Sequence, residues 1–415
     1  MSKLMPVISI QCDWNDVLRL PNEEAWISSK YLNSISNHDK IRTSINKSDG
    51  KIKINLSDSY QFISQSSLSL VVKHNESGLK VAFVAPTKAH NVHQKAVHSV
   101  STAENALAVS SCEGDKLIVW DNILLSINYF YIYLKIIYDP MNLLTDEQLL
   151  DLKGHAGPAY KCRFFPSGIV VISAGADGCC KIWSAESGIN PVTLIGHTMS
   201  IADICIVDKG RNVISVSKDG LAKLWDVGES KCLDNIIQAE GPINCCAITV
   251  TADEVSVEND REVATGDKVL VVGCENGLVI CAHVAKREEI FRKQLSYACN
   301  ACAIVDQTII IGCSDGKITL LNLEDGSVKS EIHESASPIL SIAALPNQLY
   351  IVGRQDGNCT VISLQETLSL VRVQLTGSDC DGIRDIAFNG KWILTGCRDS
   401  YIRKYDFNQV NVHFK

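Results

Sequence analysis

Apolar and polar residues alternate in short runs along most of this chain, and tight turns punctuate the runs. In "NVISVS" (212–217) the run meets Asp219-Gly220 and resumes as "LAKLW" (221–225). An apolar run, an Asp-Gly or Asn-Gly pair and a second alternating run predict a tight β-hairpin. With the turn residue as anchor, the pattern recurs at Asp115, Gly178, Gly220, Gly277, Gly316, Gly357 and Ser400. The gaps are 63, 42, 57, 39, 41 and 43 residues. Four of the six lie close to 40, and the other two are one such unit plus an insertion. Five residues beyond each anchor stands Trp120, Trp183, Trp225, Ala282, Leu321, Ile362 or Tyr405, each able to close a strand. A fixed period of this length is the mark of a repeat architecture, here with seven units.

The first units also carry an upstream histidine. His93, His155 and His197 precede their tryptophans by 27, 28 and 28 residues, the latter two within "KGH" and "IGH". These motifs resemble the WD-repeat family, whose units are four-stranded blades of a β-propeller. The resemblance implies an all-β, seven-bladed WD-repeat propeller. It also implies a buried hydrogen-bonded tetrad in two blades: His155, Ser173, Asp177 and Trp183 in one, and His197, Ser215, Asp219 and Trp225 in the other. His, Ser and Asp together invite a catalytic reading. A catalytic set is normally placed once, whereas this one recurs at the repeat period, as a scaffold feature does. No catalytic residue is assigned, and the chain is not expected to be an enzyme.

In this family each sequence unit ends at its third strand. The last unit ends near Asp406, so the seventh blade needs a fourth strand from upstream. "LKVAFVA" (79–85) is expected to supply it, giving a propeller over 79–410 and a small N-terminal appendage over 1–78. Within the appendage, apolar residues from Asp13 to Pro21 have helical spacing. "KIKINLSD" and "QFISQSSLSLVV" read as strands. Two insertions lengthen the repeat. The first, 122–144, is apolar and Tyr-rich. Its apolar core of 16 residues includes Lys135, short of the roughly 20 that span a bilayer. It reads either as a genuine loop or as translated intron. The second, 251–267, is acidic and turn-rich and is expected to form a mobile loop.

Composition narrows the function classes. A net charge of −8 argues against a nucleic-acid surface, which needs a basic footprint, and suits a basic protein partner. The start lacks a secretory apolar region. The 17 cysteines sit mostly inside apolar runs, as buried thiols of a reducing compartment do. Cys299 and Cys302 have CxxC spacing, but no second pair stands at zinc-site spacing and "NACAIV" reads as a strand. No metal or cofactor is expected.

Longer strings carry a closer resemblance. "QCDWNDVLR", "EEAWIS", "CRFFPSGIVVISAGADG" (162–178), "IVDKGRNVISVSKDGLAKLWD" (206–226), "LTGSDCDGIRDIAF" (375–388) and "CRDSYIRKYD" (397–406) are similar to a family of WD-repeat chaperones for assembly of the proteasome regulatory particle. Segment 122–144 is the departure. The resemblance implies a monomeric, cytoplasmic and also nuclear protein that binds the C-terminal domain of a proteasomal ATPase subunit, without nucleic acid or membrane. ATP would belong to that partner, since no GxxxxGK[ST] loop occurs. The alternative is another WD-repeat adaptor, such as a ubiquitin-ligase substrate receptor. The partner is expected on the face bearing the turns and the Gly-His loops, with Asp379, Asp381 and Arg384 as candidate contacts.

Overall fold

A computed structural model describes residues 5–46, 52–105, 107–121, 148–252, 255–257, 259–365 and 371–414. Segment 122–144 lies outside the described residues. Strands dominate. Near the N-terminus β1 (Val7–Ile10), β2 (Glu24–Lys30), β3 (Asn37–Ile45) and β4 (Ile52–Asn55) form one antiparallel sheet. The next strands are β5 (Tyr60–Gln65), β6 (Ser69–His74), β7 (Lys80–Val84) and β8 (Lys88–His90).

The repeats follow. The first sheet is β9 (Val97–Thr102), β10 (Leu107–Cys112), β11 (Leu117–Asp121) and β12 (Gln148–Asp151). The second is β13 (Ala159–Phe164), β14 (Val170–Gly175), β15 (Cys179–Ser184) and β16 (Val192–Ile195). The third is β17 (Ile201–Val207), β18 (Asn212–Ser217), β19 (Leu221–Asp226) and β20 (Lys231–Gln238). The fourth is β21 (Ile243–Val250), β22 (Lys268–Cys274), β23 (Leu278–His283) and β24 (Glu288–Gln294). The fifth is β25 (Cys299–Val305), β26 (Thr308–Cys313), β27 (Ile318–Asn322) and β28 (Val328–Ile332). The sixth begins β29 (Ile339–Leu345), β30 (Leu349–Arg354), β31 (Cys359–Ser363) and β32 (Val371–Leu375). The last holds β33 (Ile383–Phe388), β34 (Trp392–Cys397) and β35 (Ile402–Asp406), with α2 (Phe407–Asn411) after it.

An upstream strand completes the last sheet, but it is not 79–85. β8 pairs with β35 through His90 opposite Ile402. β7, which covers most of 79–85, instead runs parallel to β32, with Val373 opposite Ala82. β6 and β5 follow, extending the sixth sheet to seven strands. The apolar run over 80–84 marks a strand but does not say which edge it joins. The N-terminal sheet covers this extension. Ile8, Ile27, Ile41 and Trp14 pack against Leu70, Val72, Val81 and Phe83 in one buried cluster. The helix expected from Asp13 is one turn, α1 (Trp14–Val17). The chain then reverses through Pro21 and Asn22 (φ 62°) into β2.

The first strands of neighbouring sheets touch in succession, β9 to β13, β17, β21, β25, β29, β33 and back to β9. Among the described residues, seven sheets thus follow one another around a closed ring. The inner strands are not paired with one another as a sheet, so side chains bridge their polar edges. Cys162 N donates to Ser99 Oγ at 3.1 Å and Cys246 N to Asp203 Oδ2 at 3.2 Å. Asn244 and Asn300 donate to Cys299 O and Ile339 O, each at 3.0 Å. Ser341 Oγ reaches Ile383 O at 2.9 Å, and Val100 N donates to Asp385 Oδ2 at 3.0 Å. Lys161 and Asp203, 3.8 Å apart, link the remaining neighbours.

Candidate partner-binding face

At one end of the ring, the turn between second and third strands lies against the loop leading to the next sheet. Gly316, at φ 85°, shows why the anchor is so often glycine: a Cβ there would stand 2.1 Å from Ser335 O, in a backbone region that disfavours side chains. Ser400 holds the equivalent position at φ 74°. The aspartate before the anchor stiffens the turn by accepting from the backbone two residues on. Asp219 Oδ1 accepts from Leu221 N at 3.0 Å, and Asp315 Oδ1 from Lys317 N at 3.0 Å.

In two sheets the second carboxylate oxygen ties the turn to the loop. His155 Nδ1 lies 2.8 Å from Asp177 Oδ2, and its Nε2 is 2.7 Å from Ser173 Oγ. Trp183 Nε1 donates to the same Oγ at 2.8 Å. The next sheet repeats this with His197–Asp219 at 2.8 Å, His197–Ser215 at 2.8 Å and Trp225–Ser215 at 2.8 Å. One proton order satisfies each chain: indole N–H to hydroxyl, hydroxyl to Nε2, Nδ1–H to carboxylate. Burial holds both imidazoles neutral, lowering their pKa against the pull of the aspartates. Burial would raise Asp177, yet the bonds from His155, Ala156 N and Cys179 N outweigh it and keep the carboxylate ionised. Ser173 and Ser215 are fully buried, and each hydroxyl is spent on the imidazole and indole. These groups position the loop and have no direction left for substrate.

The inner strands carry the second feature of this face. Each has an irregularity one residue in from its start, leaving His98, Tyr160, Ala202, Asn244, Asn300, Leu340 and Arg384 outside the pairing. Such bulges re-aim a side chain away from the sheet. They bring a polar and aromatic set to the channel mouth. Arg384 Nη1 donates to His98 Nδ1 at 2.9 Å, and the His98 ring meets Tyr160 edge-on at 5.4 Å. Burial first, then the Arg384 guanidinium, lowers the His98 pKa to about 4.

Of the residues expected to contact a partner, Arg384 belongs to this ring. Asp379 is exposed and Asp381 half-buried in the loop between β32 and β33. That loop turns at Cys380 (φ 59°) and is fastened by Ser378 Oγ donating to Asp381 O at 2.7 Å. Among the described residues no hydrogen bond or ion pair joins Arg384 to either aspartate. His98 and Tyr160 were missed by sequence reasoning, although Tyr160 and Ala202 each precede their turn glycine by 18 residues.

Below the mouth, six inner strands enclose a channel cavity of about 190 Å³. Asp385 accepts there from Lys161 Nζ at 3.1 Å and Arg163 Nη1 at 3.0 Å. Burial would raise its pKa, but the two cations hold it well below the usual carboxylate range. On the opposite face, the described residues 259–267 dock against the third sheet instead of standing free. Asn212 exchanges bonds with Val263 N and Arg261 O, and Arg261 meets the buried Asp226 at 3.1 Å.

Ringed four-stranded sheets with this indole–hydroxyl–imidazole–carboxylate chain define a WD-repeat β-propeller. The family "WD domain, G-beta repeat" matches residues 146–184, 189–226 and 369–406. Over 97% of its length the chain is 30% identical to Proteasomal ATPase-associated factor 1 of Homo sapiens and of Gallus gallus, covering 99% of each. A shorter match, 34% identical over 157 residues, is to the 26S proteasome regulatory subunit RPN14 of Saccharomyces cerevisiae. It spans 36% of this chain and 38% of that protein. The chain belongs to the proteasomal ATPase-associated factor family.

Proposed function

We propose that this protein is a non-catalytic chaperone that binds the C-terminal domain of a proteasomal ATPase subunit and assists assembly of the proteasome regulatory particle. The full-length likeness to relatives named for association with proteasomal ATPases carries this reading. The face described above is where we place the contact, with Asp379, Asp381 and Arg384 at its edge. Acidic groups on a chain of net charge −8 complement a basic partner and favour encounter rate and specificity. All 17 cysteines are free thiols, which supports a cytoplasmic and nuclear setting.

Pull-down against each isolated ATPase C-terminal domain tests the proposal. One domain should be retained. Asp379→Lys with Asp381→Lys should weaken retention more at low salt than at high salt, with the melting temperature unchanged. Retention of none, or recovery of cullin adaptors in their place, would contradict it.

A further inference from the structure

Most cysteines of the chain fill apolar core, but four line the channel cavity: Cys205 on β17, Cys245 and Cys246 on β21, and Cys302 on β25. They share that cavity with Lys161 and Asp385, so the wall they form is polar on its far side. Cys205 Sγ and Cys246 Sγ lie 3.2 Å apart. The pair bridges two different sheets. The bond from Cys246 N to Asp203 Oδ2 at 3.2 Å fixes the two strands against each other beside it. A disulfide needs about 2.05 Å, so the sulfurs must approach by roughly 1 Å.

We propose that Cys205 and Cys246 form a site of reversible thiol oxidation that takes a small hydroperoxide and closes to a disulfide between the third and fourth sheets. Cys205, half-buried on the cavity wall, is the attacking group. Its sulfur bonds to the outer peroxide oxygen while the O–O bond breaks. The thiol proton leaves with the departing oxygen as water or alcohol, and Cys205 becomes a sulfenic acid, oxidised by two electrons. Cys246 sulfur then attacks Cys205 sulfur. The S–S bond forms, the S–O bond breaks, and hydroxide leaves with the Cys246 proton as water. In sum, two thiols and one hydroperoxide give a disulfide, one alcohol or water, and one water.

Hydrogen peroxide added to the folded full chain tests this, followed by thiol titration and by digestion and mass spectrometry without reductant. Two thiols should be lost per chain beyond oxidation of the exposed Cys380. The tryptic peptide of Cys205 should be joined to the one holding Cys232, Cys245 and Cys246, and dithiothreitol should release it. The link should survive Cys245→Ser and vanish in Cys246→Ser and in Cys205→Ser. Oxidised Cys380 without the link in the wild-type chain would overturn the proposal whatever the variants do. So would a link that persists in Cys246→Ser.

Discussion

The second and third sheets and the three that follow them solve one packing problem in two ways. In β13–β20 a Ser and a Trp meet a His between strands. At the equivalent positions of the later sheets stand Val272 with Ala282, Ile311 with Leu321, and Val352 with Ile362, none more than 1% exposed. The Ser and the Trp are replaced together by apolar residues, so neither leaves the other's polar group orphaned, a change that is close to neutral when both partners go together. The turn carboxylate or amide survives the switch. Asn276, Asp315 and Asp356 still accept from the backbone at 3.1, 3.0 and 3.1 Å. The turn therefore belongs to the repeat, and the tetrad is an addition to it. The first sheet lies between the two solutions. His93 Nε2 meets Ser110 Oγ at 2.7 Å and Trp120 donates to it at 3.1 Å. Gly114 stands where Asp177 and Asp219 stand, and His93 Nδ1 is buried with no partner among the described residues.

Truncation should separate the two solutions most strongly. Trp183→Ala or Trp225→Ala removes a fully buried indole and should cost about 3–5 kcal/mol in denaturant unfolding. An unchanged midpoint would mean that the tetrads do not hold their sheets together.

Acid should find the incomplete network next. Burial first, then the Lys116 ammonium, lowers the His93 pKa to about 4. The unfolded chain takes up this proton near pH 6.5 and the folded chain does not. Stability is therefore full above about 6.5 and falls through the window down to 4, by about 3 kcal/mol for His93. The lowered pKa values of His155 and His197 act in the same direction. Unfolding free energy that stays flat from pH 7 to 4.5 would contradict this.

Exchanging the solutions should hurt in both directions. Ser215→Val orphans an imidazole and an indole, and Val272→Ser buries a hydroxyl without a partner. Each should cost about 1–3 kcal/mol, read from unfolding midpoints. The smallest effect is a gain. Gly114→Asp with Asp115→Gly restores the turn order of the neighbouring sheets and offers His93 a carboxylate. It should add about 1 kcal/mol at pH 7 and raise the His93 pKa, measured by NMR titration.

The same contrast explains what the sequence reveals. The two tetrads are legible because four polar residue types recur at one spacing. The apolar sheets show only their turns, since Val272 or Leu321 looks like any strand residue. The closing strand is missed because β8 has three residues, while 79–85 is a longer apolar run and pairs elsewhere. The acidic segment 251–267 reads as a mobile loop because Asn212 and Asp226, which hold its Arg261 and Val263, lie far back in the chain. His98, Tyr160 and Arg384 reach the channel mouth through bulges, which alternation cannot express.

The proposed partner contact lies on the face where turns and Gly-His loops meet. Hydrogen–deuterium exchange on the complex with the retained ATPase domain tests it most directly. Protection should appear at 376–384, around His98 and around Tyr160, with 251–267 unchanged. Protection at 251–267, with 376–384 exchanging as in the free chain, would place the partner on the opposite face and contradict the account.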